Sequence, residues 1–153
     1  MATPLPQLTD PGGTILSIDN SSFVFLFGGY DIEAEVASSK IVVIDPDHLE
    51  WWYLRLEGEG VQPRIDPVVV AVDTNLYVFG GYRQLGPEDP QPCTSYSIAE
   101  FLPNRQWQWT VRDQPYSNII PKGHLFGGAT PVYNGAKILL TPGCLANNVR
   151  DLK

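Results

Sequence analysis

The chain has 153 residues, of which 43% are hydrophobic, and it carries 17 acidic and 10 basic side chains for a net charge of −7. This composition is typical of a globular protein, and the negative charge opposes binding to nucleic acid or anionic lipid. Since no apolar run approaches the roughly 20 residues that span a bilayer, and residues 1–13 carry no secretory signal, we expect a cytoplasmic or nuclear protein.

The first predicted elements are two β-hairpins. TILSI (14–18) and FVFLF (23–27) are strand-like runs joined by turn residues, and a pair of glycines follows the second run. After a polar loop, KIVVI (40–44) and EWWYLRL (50–56) predict another hairpin around the turn DPDH. Together these runs predict a unit of four antiparallel strands.

The same order of elements returns about one unit later. PVVVAV, LYVFGGY, TSYSIAEFL and QWQWTV predict four more strands, and the first glycines of the two pairs, Gly28 and Gly80, lie 80 − 28 = 52 residues apart. ATPVY and ILLTPG begin a third round, in which Pro142-Gly143 takes the place of the glycine pair. Helical periodicity is absent, so the sequence predicts an all-β protein of two complete units and half of a third.

An apolar strand ending in Gly-Gly, a loop, another apolar strand, a turn, a tryptophan strand and then Pro-Arg resembles the kelch repeat. The first copy contains Gly28, Gly29, Trp51 and Pro63-Arg64. The second contains Gly80, Gly81, Trp107 or Trp109, and Pro121-Lys122 in place of Pro-Arg. The third departs from the pattern, because Thr-Pro-Gly at 141–143 replaces Phe-Gly-Gly. The resemblance implies blades of four antiparallel strands in an incomplete β-propeller, in the superfamily of the galactose oxidase central domain.

Four segments follow from this resemblance. They are an N-terminal extension (1–13), a first kelch blade (14–60), a second blade (61–120) and the first half of a third blade (121–153). Propellers close with typically about 4 to 8 blades. We therefore expect either a fragment of a longer gene product or copies that associate as a homo-oligomer to complete the ring.

The glycines and tryptophans are predicted to be structural. Glycine allows a strand to end in a sharp turn, and tryptophans at 51 or 52 and at 107 or 109 are expected to pack between adjacent blades. The predicted structural set is Gly28, Gly29, Trp51, Gly80, Gly81, Trp107, Trp109 and Gly143.

Binding is predicted at one end of the propeller. Residues 30–39, 82–93 and 144–153 each follow the second strand of a unit, so repetition brings them to the same end. The candidates for binding are Tyr30, Asp31, Glu33, Glu35, Tyr82 and Arg83, to which the kelch resemblance adds Arg64. The alternative is that these are ordinary solvated loop residues.

The sequence contains no catalytic motif and predicts no cofactor or metal site. His48 and His124 fall in different parts of the repeat, so no close ligand pair is expected. Cys93 and Cys144 are expected to be packed free thiols, with a disulfide as the alternative. The leading hypothesis is therefore a scaffold for a protein partner, with no catalytic or metal-ligand cluster in this chain. The alternatives are a galactose-oxidase-like oxidoreductase or a carbohydrate-binding propeller whose site lies in missing blades.

Overall fold

The fold consists of strands and turns. The computed structural model describes residues 3–84, 90–116 and 124–145. Within these residues there is no helix, and hence none long and apolar enough to cross a membrane. The strands of these residues are, in chain order, β1 (Leu8–Thr9), β2 (Gly12–Ile18), β3 (Ser21–Phe27), β4 (Tyr30–Asp31), β5 (Val36–Ala37), β6 (Ile41–Asp45), β7 (Glu50–Tyr53), β8 (Leu56–Glu57), β9 (Val68–Val72), β10 (Asn75–Phe79), β11 (Tyr82–Arg83), β12 (Gln91–Pro92), β13 (Ser95–Phe101), β14 (Trp107–Pro115), β15 (His124–Val132) and β16 (Lys137–Leu145). The predicted all-β class is confirmed, and no sheet of the described residues closes on itself.

The first four-stranded sheet, called unit 1, has the antiparallel order β2-β3-β6-β7. Its first hairpin turns at Asp19 and Asn20, whose φ angles of 51° and 65° are both positive. Two-residue turns of this kind match the right-handed twist of the strands. In the second hairpin, Oδ1 of Asp45 accepts hydrogen bonds from the N–H groups of Asp47 and His48. Both hairpins predicted for this part of the chain are confirmed.

The second sheet contains four strands in the same sequential order, β9-β10-β13-β14, which we call unit 2. The short strand β8 extends this sheet by pairing in parallel with β14, and Leu56 lies opposite Trp107. The prediction of one continuous strand over residues 50–56 is therefore wrong. β7 ends at Tyr53, and the chain then crosses from unit 1 to unit 2. The apolar residues of this segment belong first to the sheet of unit 1 and then to the sheet of unit 2. Periodicity alone does not indicate this change of sheet.

The hydrophobic core lies between unit 1 and unit 2. Unit 1 contributes buried residues of β2, β3 and β6, and unit 2 contributes buried residues of β9, β10, β13 and β14. The ring centroid of Phe25 lies 5.4 Å from that of Trp107, and Phe27 lies 5.7 Å from Trp109. Aromatic pairs contact favourably at these separations. The two tryptophans of unit 2 therefore lie in the contact between the sheets.

The first strands of successive units lie next to one another, since β9 contacts both β2 and β15. Gly12 permits the approach of β2 to the start of unit 2. A Cβ atom at Gly12 would lie 2.5 Å from the carbonyl oxygen of Pro67 and 2.7 Å from Cγ2 of Val69. Only a residue without a side chain fits this approach.

The third predicted round is a hairpin of β15 and β16. Its turn contains Asn134 and Gly135, both with positive φ angles. Gly143 lies within β16, whereas the glycine pairs at 28–29 and 80–81 follow the ends of β3 and β10. The third round therefore differs from the first two in the position of its glycine.

The outward face of unit 1 is not covered by another sheet of the described residues. Strand pairing places Ile15 and Trp51 on this face, and Ile15 is 66% exposed. Nε1 of Trp51 donates a hydrogen bond to the carbonyl oxygen of Thr3 at 2.8 Å. Trp52 lies on the opposite face, edge-on to Phe23 with centroids 6.1 Å apart. The tryptophans of unit 1 are thus placed differently from the buried pair of unit 2.

Candidate interaction surface

A repeated framework supports the loops that follow β3 and β10. In unit 1, Thr9 pairs with Tyr30, which in turn pairs with Ala37 on the far side of the loop. In unit 2, the bridge between Ile65 and Tyr82 occupies the equivalent position. The segment that enters each sheet therefore contacts the residue directly after the glycine pair.

The second glycine of each pair permits this contact. Gly29 and Gly81 have φ angles of 85° and 79°, which other residues rarely adopt. A Cβ atom at Gly29 would lie 2.7 Å from the carbonyl oxygen of Thr9, and one at Gly81 would lie 2.8 Å from that of Ile65. Two loops are thereby supported by the same backbone contact at the same end of their units.

The loop after β3 carries the acidic candidates. β4 and β5 hold its two ends together, and Oδ1 of Asp31 accepts a hydrogen bond from the N–H of Ala34 at 3.0 Å. Glu33 and Glu35 are exposed, while Tyr30 and Asp31 are half-buried. The loop therefore begins with a half-buried tyrosine and presents two carboxylates to solvent.

The loop after β10 begins with Tyr82 and Arg83, both half-buried. Burial raises the pKa of the Tyr82 hydroxyl, and the nearby charges of Asp10 and Asp66 raise it further. Within the described residues, Nε of Arg83 is buried without a hydrogen-bond partner. Residues 85–89 of this predicted loop lie outside the described residues, as does the third predicted loop from residue 146 onward.

Two aspartates absent from the predicted set lie beside these candidates. The N–H of Asp66 donates to the carbonyl oxygen of Asp10 at 2.8 Å, which joins the entry segments of the two units. Both residues have left-handed φ angles, 52° at Asp10 and 54° at Asp66. Burial raises the pKa of the Asp66 carboxyl, and the charge of Asp10 adds to this effect. Each of these aspartates precedes a proline, but Asp-Pro also occurs at 45–46 and 89–90, so the dipeptide alone does not identify the entry segments.

Arg64 has no exposed surface. Its guanidinium group donates to the carbonyl oxygens of Gly80 and Ser95 at 3.0 and 2.7 Å. It also donates to Oγ of Ser95 at 2.8 Å and to the carboxylate of Asp113 at 2.9 Å. These bonds tie the segment between the units to β13 and β14. Its predicted contact with a ligand stays a prediction, whereas the observed contacts are structural.

Cys93 is free and buried at the end of the second loop. Its N–H donates to the carbonyl oxygen of Gly81 at 2.8 Å. Burial raises the pKa of its thiol, and a protonated thiol is a poor nucleophile. Cys93 is therefore a packed free thiol, as the sequence predicts, whereas the side chain of Cys144 lies outside the described residues.

The surface formed by the two loops and their entry segments is acidic. Its charged residues are Asp10, Asp31, Glu33, Glu35, Asp66 and Arg83. Carboxylates accept charge-assisted hydrogen bonds from lysine and arginine, and complementary charge sets the orientation of a partner. We call this set, with Tyr30 and Tyr82, the loop surface.

The two histidines belong to different elements of the fold. Nδ1 of His48 contacts Oδ2 of Asp45 at 2.7 Å in the turn between β6 and β7, and His124 lies in β15. The hydrogen bond with Asp45 raises the pKa of His48. Among the described residues, no group of three or more histidine, cysteine, aspartate or glutamate side chains is arranged to hold a metal ion.

No protein-family model matches this chain, and no curated protein matches it. The resemblance to the kelch repeat therefore depends on the repeated residues themselves. The structure adds an all-β fold with several antiparallel sheets, in which two units share one strand order.

Proposed function

We propose that this chain is part of a kelch-type β-propeller that acts in the cytoplasm as a scaffold for a protein partner. The observation that carries the proposal is the repeated pairing of Tyr30 and Tyr82 with the entry segments, which gives both loops the same support. Loops held side by side by rigid sheets are a common arrangement for binding surfaces. Tyrosine and arginine, present here at 30, 82 and 83, are favoured at the centres of protein interfaces.

The propeller part of the proposal is supported by the contacts between units. Unit 2 packs one face against unit 1, and the first strands of successive units lie together. The equivalent face of unit 1, which carries Ile15 and Trp51, is not covered by another sheet of the described residues. We propose that a further unit of this kind covers that face, supplied by a longer chain or by a second copy.

The proposed partner is a protein with a basic segment. The carboxylates of the loop surface outnumber its single arginine, and the whole chain carries a net charge of −7. Opposite charge on the partner accelerates association and fixes its orientation, more than it adds to affinity. Binding of this kind weakens as ionic strength rises.

The test is chemical cross-linking and affinity capture with three forms of the full chain. The double variant Glu33→Lys, Glu35→Lys reverses two exposed charges of the loop surface. The control, Glu50→Lys, makes the same change at an exposed position next to the turn at the opposite end of unit 1. We expect a partner that binds the wild type and the control but is lost with the double variant, and whose purified form binds less tightly in high salt. Identical partners for all three forms would contradict the proposal.

A further inference from the structure

A groove of about 430 Å³ lies at the outer seam where the chain crosses from unit 1 to unit 2. Phe101 and Trp107 pair at the β13–β14 turn, whereas the glycine pair of unit 2 follows the other end of β10. The groove therefore lies at the end of unit 2 opposite to its glycine pair, whereas in unit 1 it reaches Leu54, whose N–H donates to the carbonyl oxygen of Ile41. None of the residues that line the groove belongs to the loop surface. Its volume is within the range of roughly 300–1,000 Å³ that is usual for small-molecule sites.

The groove is built from fixed elements. β8 pairs with β14 beside it, and the buried Trp107 lies opposite Leu56. On the other side, the N–H of Leu102 donates to the carbonyl oxygen of Gln106 at 2.8 Å. The side chains and backbone of Asn104 and Gln106 exchange two more hydrogen bonds, of 3.0 and 3.1 Å. Because Oε1 of Gln106 accepts one of these bonds, the orientation of the side-chain amide is fixed and its NH₂ group can donate to a ligand.

The groove combines an exposed aromatic ring with both hydrogen-bond donors and acceptors. Trp52 is 40% exposed, and its ring lies edge-on to that of Phe23. The groove is also lined by Glu57, Arg105 and Gln106, which offer acceptor and donor groups. Binding sites for small molecules typically pair apolar or aromatic walls with a few such polar groups. A ligand with one apolar face and a hydroxyl-bearing edge fits this combination.

The charges of the groove argue against a strongly anionic ligand. Arg105 is paired with Asp19 at 2.8 Å, and Nε of Arg55 lies 3.9 Å from a carboxylate oxygen of Glu57. An anion would compete with these carboxylates for the guanidinium groups, whereas a neutral polyhydroxylated ligand adds hydrogen bonds beside them.

We infer that this groove binds a neutral saccharide, whose ring stacks on Trp52 and whose hydroxyls bond to Glu57, Arg105 and Gln106. The site is formed between two units and does not depend on the loop surface. A shallow, open groove of this kind is expected to bind weakly, with a dissociation constant on the order of 1 mM.

Saturation-transfer NMR on the full chain tests this inference. The neutral probes are cellotetraose, mannotetraose and N-acetyllactosamine, and a heparin-derived tetrasaccharide serves as the anionic probe. We expect saturation transfer to at least one neutral probe and about a tenfold or greater loss of affinity in Trp52→Ala, as for an aromatic anchor. Gln106→Ala should weaken binding by a smaller factor.

Two controls isolate the groove. Trp51→Ala removes the neighbouring tryptophan, which lies on the other face of β7, and should leave binding within about twofold of the wild type. The loop variant Glu33→Lys, Glu35→Lys should also bind the probe with the affinity of the wild type. The proposed saccharide site and the proposed protein-interaction surface can therefore be contradicted independently. The inference is overturned if no neutral probe binds, if only the heparin fragment binds, or if a thermally intact Trp52→Ala chain keeps its affinity.

Discussion

Unit 1 and unit 2 share one strand order but bury their tryptophans differently. Trp107 and Trp109 are 7% and 3% exposed, and each contacts a phenylalanine of unit 1. Trp51 is half-buried at the end of a hydrogen bond to Thr3, and Trp52 borders an open groove. For Trp51 the difference comes from the neighbouring sheet. The face of unit 2 that carries Trp107 and Trp109 packs against unit 1, whereas the face of unit 1 that carries Trp51 has no sheet against it among the described residues. In a repeat protein, the burial of a residue thus depends on the adjacent unit as much as on its own.

Replacing one tryptophan in each unit tests this comparison most strongly. We expect Trp109→Ala to lower the free energy of unfolding by about 3–5 kcal/mol, because it leaves a cavity beside Phe27. Trp51→Ala should cost about 1 kcal/mol, since it loses one hydrogen bond and partial packing. Urea unfolding followed by circular dichroism measures both. Equal losses would mean that the core between the units contributes no more than the outward face does.

The entry segments of the two units differ as well. The pairing of Thr9 with Tyr30 is equivalent to that of Ile65 with Tyr82, so Leu8 stands in unit 1 where Arg64 stands in unit 2. Only unit 2 has a buried guanidinium group at this position, and it bonds backbone carbonyls and a carboxylate.

Replacing Arg64 tests this difference between the entry segments. Arg64→Met should lower the free energy of unfolding by about 3–5 kcal/mol, because it removes the guanidinium group that donates to two carbonyl oxygens and neutralises the Asp113 carboxylate, which then keeps only neutral donors such as the N–H of Gln62. Arg105→Met is the matched control, since Arg105 contacts Asp19 at nearly the same distance but is exposed. It should cost about 0–1 kcal/mol. Thermal and urea unfolding of both variants at one ionic strength measure these losses. Similar losses in the free energy of unfolding for the two variants would contradict a structural role for the buried pair.

Strand order was predictable from the sequence because alternating apolar residues and turn residues act locally. The two hairpins of unit 1 and the hairpin of β15 and β16 lie where those patterns occur. The break between Tyr53 and Leu56 was not predictable, because it depends on the arrival of β14 beside the chain. A local pattern of apolar and polar residues does not indicate pairing with a strand that is distant in sequence.

The candidate functional residues also include some whose environment was predictable from the sequence and some whose environment was not. The exposure of Glu33 and Glu35 follows from their place in a polar loop. The burial of Arg64 does not, because its acceptors on Gly80, Ser95 and Asp113 come together only in the folded chain. The groove beside Trp52 was not predicted either, since Trp52 and Gln106 come from different units and no motif joins them.

The glycine pairs test what the two units have in common. Gly29→Ala and Gly81→Ala should each lower the free energy of unfolding by at least about 1–2 kcal/mol, because each places a side chain at a left-handed φ and against a carbonyl oxygen. Gly60→Ala is the control, since no other heavy atom lies within 4 Å of the added Cβ. Denaturant unfolding should give similar losses for the two pair variants and little change for the control. A large loss at one glycine with none at the other would mean that only one loop is supported by its entry segment, and that the two halves of the loop surface are built differently.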